Sequence, residues 1–160
     1  MLRFLLLASA CAASYGKVSH ITWTDCSSAS SFGKITNVTV TPNPPVLGKN
    51  TTLRGTGTLT KEITDGQLSI KSTYSGLPIP INPSVVPICG STTVKLPLNL
   101  GQITLSGFDC PKAAGILTLT ETVLIPEIAP LGTYTAQLSG INQDGDETAC
   151  ILVTIVVTQR

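Results

Sequence analysis

Histidine occurs once in this chain, at His20, and that one fact removes most hydrolytic chemistry. A serine or cysteine nucleophile needs a base within hydrogen-bond reach and a third group to orient that base. No such set can be built around one imidazole close to the N-terminal end. The carboxylates Glu121 and Glu127 stand in a strand-like run, GILTLTETVLI, and in a proline-rich turn, IPEIAP. No glycine-rich phosphate loop is present. The acidic cluster NQDGDE lacks the spaced ligands of a calcium loop and reads as a hairpin turn built on Asp144-Gly145. We therefore expect no catalytic residue, no metal and no cofactor, and a protein that is not an enzyme.

Cysteine chemistry is another matter. The opening stretch MLRFLLLASACAAS has one basic residue, an apolar run and a tail of small residues, the pattern of a secretory signal peptide. We assign residues 1–16 to that signal, with cleavage after Ala10, Ala12, Ser14 or Gly16, and residues 17–160 to a single domain. Export leaves Cys26, Cys89, Cys110 and Cys150, an even set in an oxidising compartment. Four cysteines allow three pairings, and we expect Cys26–Cys150 with Cys89–Cys110. The first ties the start of the mature chain to its end, and the second clips a proline-rich segment to FDCPK. No pair has zinc-like spacing. Asn37 and Asn50 are glycosylation acceptors, whereas Pro83 blocks Asn82. The expected location is outside the cell or in the endolysosomal lumen.

These residues need a scaffold, and the sequence describes one made of strands. Apolar residues make up 42 % of the 160 and charged residues 12 %. Without Arg3, nine Lys/Arg stand against nine Asp/Glu, a balance that argues against nucleic acid and against tight binding to anionic membranes. Short alternating runs occur at 34–41, 51–59, 67–74, 115–125, 132–139 and 150–157, each bounded by glycine or proline signals. Leu53, Gly55, Gly57 and Leu59 share one face, as do Leu68, Ile70 and Tyr74. If Asn37 faces water, Val38 and Val40 face in. Such spacing means an antiparallel sandwich. An immunoglobulin domain would place its tryptophan between two bridged cysteines, and here Trp23 precedes the first.

The stretch GLPIPINPSVVPIC (76–89) fits neither strand nor solvated loop, because its prolines remove amides while Leu77, Ile79, Ile81, Val85, Val86 and Ile88 are apolar. It reads as an extended, unpaired, apolar edge. Aromatic fillers are scarce in the expected interior, which is otherwise Val, Leu, Ile, Gly and Ala. A sandwich lined by small aliphatics can close up or stay open for a guest, and the residues alone leave both readings standing.

Three segments carry a family likeness. ITNVTVTPNPPVLGKNTTLRGTGTL, GLPIPINP and CPKAAGILTLTETVLIPEIAPLGTYTAQLSGINQDGDETACILV resemble the ML-domain family of lipid-recognition proteins, from about Thr24 to Val157. Within that family the likeness is to the soluble Niemann–Pick type C sterol carriers and to the phosphatidylglycerol/phosphatidylinositol transfer proteins. The expected disulfide pairing agrees with the family, although a further short-loop disulfide of the animal carrier has no cysteines here. The resemblance implies an all-β, antiparallel, two-sheet immunoglobulin-like sandwich with an apolar cavity between the sheets, and a proline-rich rim at its mouth. It implies a protein that binds one lipid, sterol or phospholipid, and carries it between membranes. The aliphatic lining tilts the ligand toward acyl chains.

Expected cavity-wall residues are Val38, Val40, Leu53, Leu68, Ile70, Tyr74, Ile79, Ile81, Phe108, Ile116, Tyr134 and Leu152, with Lys112 as a headgroup contact. The expected partners are the lipid and, transiently, a membrane surface or membrane-protein acceptor, with the carrier a monomer. A lipid-presenting adaptor and a structural sandwich with a closed core are the competing readings.

Overall fold

The computed structural model describes residues 17–80 and 83–159; the expected signal peptide, Ile81 and Asn82 lie outside the described residues. The described chain forms eleven strands and one 3-10 turn at Pro97–Asn99. The strands are β1 (Lys17–Asp25), β2 (Gly33–Thr41), β3 (Asn50–Leu59), β4 (Gly66–Tyr74), β5 (Leu77–Ile79), β6 (Val85–Pro87), β7 (Ser91–Lys95), β8 (Gln102–Ser106), β9 (Gly115–Leu124), β10 (Gly132–Asn142) and β11 (Glu147–Gln159). They pair into two antiparallel sheets. One runs β1-β11-β10-β4 with β5 and β6 sharing the far edge of β4; the other runs β2-β3-β9-β8-β7. The fold is the all-β antiparallel sandwich that the alternation calls for.

Alternation explains which way each strand faces. On β3, Thr51, Leu53, Gly55, Gly57 and Leu59 are buried while Arg54 and Thr58 are exposed. Strand β2 departs from strict alternation. Ile35 pairs with Gly57 but Asn37 pairs with Thr56, so Thr36 is an extra residue in a β-bulge. That shift turns both Thr36 and Asn37 to solvent and brings Ile35, Val38 and Val40 to the inner side. Gly57 is obligatory opposite the bulge, because a Cβ there would lie 1.8 Å from the Lys34 carbonyl oxygen.

Two sequence expectations fail at strand parity. Ile116 is 74 % exposed, and its neighbour Leu117 is fully buried instead. Leu152 is only half-buried, while Val153 and Ile155 on the other face of β11 are buried. The reason is the same in both strands. Ile116 shares its face with Thr118, Thr120 and Thr122, and Leu152 shares its face with Thr154, so both belong to the outward set.

The two short strands of the proline-rich segment pair on one side, and at its end Cys89 bridges Phe108. β5 lies against Ser72–Tyr74 and β6 against Gln67–Ser69, so β4 carries two short strands end to end. The segment is therefore an edge, as its prolines require, but a hydrogen-bonded one and not the unpaired ribbon expected. Both disulfides form as expected. Cys26–Cys150 extends the β1–β11 pairing within one sheet, and Cys89–Cys110 joins the exit from β6 to the loop after β8, bridging the sheets at their open edge. Asn37 and Asn50 are both exposed. The NQDGDE segment is the β10–β11 turn: the Asn142 side-chain oxygen accepts from the Asp144 and Asp146 amides, and Lys61 pairs with Asp146 at 2.7 Å.

Candidate functional site

Between the sheets the buried apolar side chains of the described residues gather into three clusters, with Ile151 packed against all of them. Phe32, Ile35, Ile88, Phe108 and Leu117 anchor the first; Leu53, Val123, Ile125, Val153 and Ile155 the second. The third consists of Ile70, Val86, Val94, Ile103, Leu105 and Leu138, and it fills the side where the β4–β6 edge of one sheet faces the β7–β8 edge of the other. Two hollows lie among the clusters. The larger, about 60 Å³, is walled by members of all three. The smaller, about 40 Å³, is walled by members of the second and third together with Ile79, Leu96, Leu100 and Tyr134.

Those volumes are modest. At about 30 Å³ per water in the liquid, the larger hollow has room for about two. A long acyl chain or a sterol has several times as many heavy atoms. With few aromatic rings to prop the sheets apart, aliphatic side chains have closed onto one another and left only residual space. Broader depressions on the surface, about 490 and 460 Å³, are lined in large part by polar and proline residues such as Asp65, Gln143, Pro44 and Glu127.

Of the residues expected at the cavity wall, Val38, Leu53, Leu68 and Phe108 line the larger hollow, and Ile79 and Tyr134 line the smaller. Val40 packs on the second cluster and Ile70 is fully buried in the third, both behind the wall. Tyr74 stands beside Tyr134, ring centroids 4.9 Å apart, and its hydroxyl donates to the Leu131 carbonyl; it lines neither hollow. Ile116 and Leu152 face outward, as above, and Ile81 is not among the described residues. Lys112 is half-buried in the β8–β9 loop, where its backbone bridges Ile63, and it lines neither hollow.

Sequence reasoning missed the most unusual wall residue. The inward face of β9 carries Leu117, Leu119, Glu121 and Val123, continued by Ile125 just past its end, and Glu121 borders both hollows. It is 8 % exposed, and removal from water pushes its carboxyl up to about 7. Alternation had the signal: Glu121 shares parity with Leu117, Leu119 and Val123 of that strand and with Ile125 after it. A second polar atom on the wall, the Thr148 hydroxyl, is buried without a hydrogen-bond partner among the described residues.

Comparison with known proteins now bears on this geometry. The family model described as the ML domain matches residues 20–157. The chain belongs to the ML-domain family. A Dictyostelium discoideum protein assigned by name as a phosphatidylglycerol/phosphatidylinositol transfer protein is 35 % identical over 153 residues, covering 96 % of this chain and 94 % of its own. A phosphatidylglycerol/phosphatidylinositol transfer protein of Mycosarcoma maydis is 28 % identical over 133 residues, covering 83 % of this chain and 64 % of its own. Among solved structures, chicken MD-1 complexed with lipid IVa superposes on this ML domain with a TM-score of 0.55 at 17 % identity, over 89 % of this chain and 97 % of that one. A Niemann–Pick type C2 protein from the Japanese carpenter ant gives 0.52 at 14 % identity, over 83 % and 96 %. At those identities the two structures establish the shared sandwich of the ML domain and no more.

Proposed function

We propose that this ML-domain protein takes up a lipid between its sheets and carries it from one membrane to another. The observation that carries the reading is the pair of apolar hollows enclosed between aliphatic walls in an ML-domain sandwich. The names of its relatives as phosphatidylglycerol/phosphatidylinositol transfer proteins support a lipid as the cargo. Two disulfides fit an extracellular or lumenal protein, the side on which such a carrier would work.

The energetics are those of transfer through water. Each methylene removed from water is worth about 0.8 kcal/mol, so a long acyl chain faces a barrier on the order of 10 kcal/mol or more when it leaves a bilayer unaided. A dry slot replaces that barrier with two smaller ones, at the donor and the acceptor membrane. Because the resting hollows are small, uptake requires the sheets to part. The side to part is the one closed by the third cluster, where the two sheet edges meet through apolar contact alone, while the Cys89–Cys110 clip packs on the first cluster and holds the sheets there. No covalent step is involved.

Organic extraction of the purified secreted protein followed by mass spectrometry should recover lipid at close to one per chain. Vesicle assays with labelled phospholipid and labelled sterol should show protein-dependent exchange. Lipid that is bound but never exchanged would turn the reading to a lipid-presenting adaptor. An extract free of lipid, with no uptake from vesicles, would leave a closed structural sandwich.

A further inference from the structure

On β9 a carboxyl stands where the alternation asks for a fifth aliphatic side chain. Glu121 borders both hollows, is 8 % exposed, and its carboxyl responds to burial alone, with no hydrogen bond or ion pair from any described residue. Burying an unpartnered carboxyl costs stability, and a leucine at this position would serve packing better. A polar group at the junction of two apolar hollows suits a guest that carries oxygen between two apolar segments. A sterol's hydroxyl stands at one end of the molecule. The ester carbonyls of a diacyl glycerolipid stand in its middle, with a chain leading away on each side.

Resting on the carrier reading above, we propose that Glu121 is the polar subsite of the cavity, donating its carboxyl proton to an ester carbonyl of a diacyl lipid whose two chains fill the two hollows as these dilate. The carbonyl only accepts hydrogen bonds, so the protonated acid is the form required. Burial supplies that form below about pH 7. From β9 to the free edge of its sheet at β7 is two strand spacings, about 10 Å, a span that lets a headgroup attached to the glycerol reach water past Val94 and Ile103.

The test compares the full secreted protein with its Glu121→Gln and Glu121→Leu variants at about pH 6. Vesicles of ether-linked phosphatidylcholine are doped with dipalmitoyl phosphatidylglycerol or with its dihexadecyl ether, which keeps the headgroup and lacks the carbonyls. The wild type should take up the ester roughly three- to tenfold better than the ether, the worth of one net hydrogen bond. The infrared band of an isotope-labelled ester carbonyl should move to lower frequency in the complex. Glu121→Leu should bind both lipids equally and lose the band shift. Glu121→Gln, whose amide still donates, should keep the preference, and it decides the matter should the leucine variant fail to fold. Equal uptake of ester and ether by the wild type, or a preference that survives in Glu121→Leu, overturns the role of Glu121 and leaves the carrier standing. Uptake of neither lipid by the wild type overturns the carrier itself.

Discussion

At the scale of single residues, Glu121 makes the apo protein pH-sensitive. Inward residues of β3, β4, β8, β10 and β11 around the hollows include Leu53, Leu68, Ser72, Ile103, Leu105, Ala136, Leu138, Ile151 and Val153, none of which titrates. Tyr134 does, but burial, with a smaller contribution from Tyr74, pushes its phenol up to about 12 and keeps it neutral. Arg54 and Lys71 of the flanking strands are exposed. The folded chain therefore holds the Glu121 proton more tightly than the unfolded chain, whose glutamate titrates near 4.5. The stability this brings is full below pH 4.5 and is lost as pH rises through about 7, a change of about 3 kcal/mol. Unfolding free energies of wild type and Glu121→Gln should diverge by this amount across that pH range; parallel profiles would show that the carboxyl is hydrated or paired. The parity of Glu121 was legible in GILTLTETVLI, as was the outward placement of Ile116 beside three threonines. What alternation does not convey is volume: whether Leu, Val and Ile close a gap or leave one depends on rotamers and on the distance between sheets, neither of which has a period in the sequence.

At the scale of elements, the third cluster acts as a plug between two sheet edges. β7 contributes Val94, which is 1 % exposed although its strand is the outermost of its sheet. Val94→Ala should destabilise the apo fold by about 1–3 kcal/mol and speed lipid uptake in a stopped-flow vesicle assay, because less apolar contact is broken on opening. A core valine without a gating part would lower stability and leave the uptake rate unchanged. Six strands, β2, β3, β4, β9, β10 and β11, were readable from alternation, and the edge character of 76–89 from its prolines, whereas β1, β7 and β8 were not read as strands. The pairing of 76–89 with β4 was not readable either, because prolines block only one of the two sides a strand can present, leaving the amides of Leu77 and Ile79 in β5 and of Val86 in β6 for the other. The β2 bulge was equally hidden, since its extra residue, Thr36, is as polar as the neighbour it displaces.

At the scale of the whole molecule, the sandwich is held by long-range pairing and by a covalent tie between its ends. Cys26 and Cys150 lie 124 residues apart. Replacing both with serine should cost up to about 5 kcal/mol in the chain-entropy account, visible as a lower denaturation midpoint with a steeper slope as the unfolded chain expands. A small loss would mean that the β1–β11 ladder already confines the unfolded chain. The pairing of the cysteines agreed with their placement at the chain ends and beside the proline-rich edge.

One consequence of the chain's tryptophan content is optical. The chain has a single tryptophan, Trp23, half-buried on β1 and packed against the cluster of Phe32, Ile35 and Leu117 that forms part of the larger hollow's wall. Its emission is therefore an unlabelled, one-site gauge of that wall. Any guest that pushes Ile35 or Leu117 outward alters the polarity and packing that the indole reports, so occupancy can be followed in real time on the native protein, with no dye competing for the space.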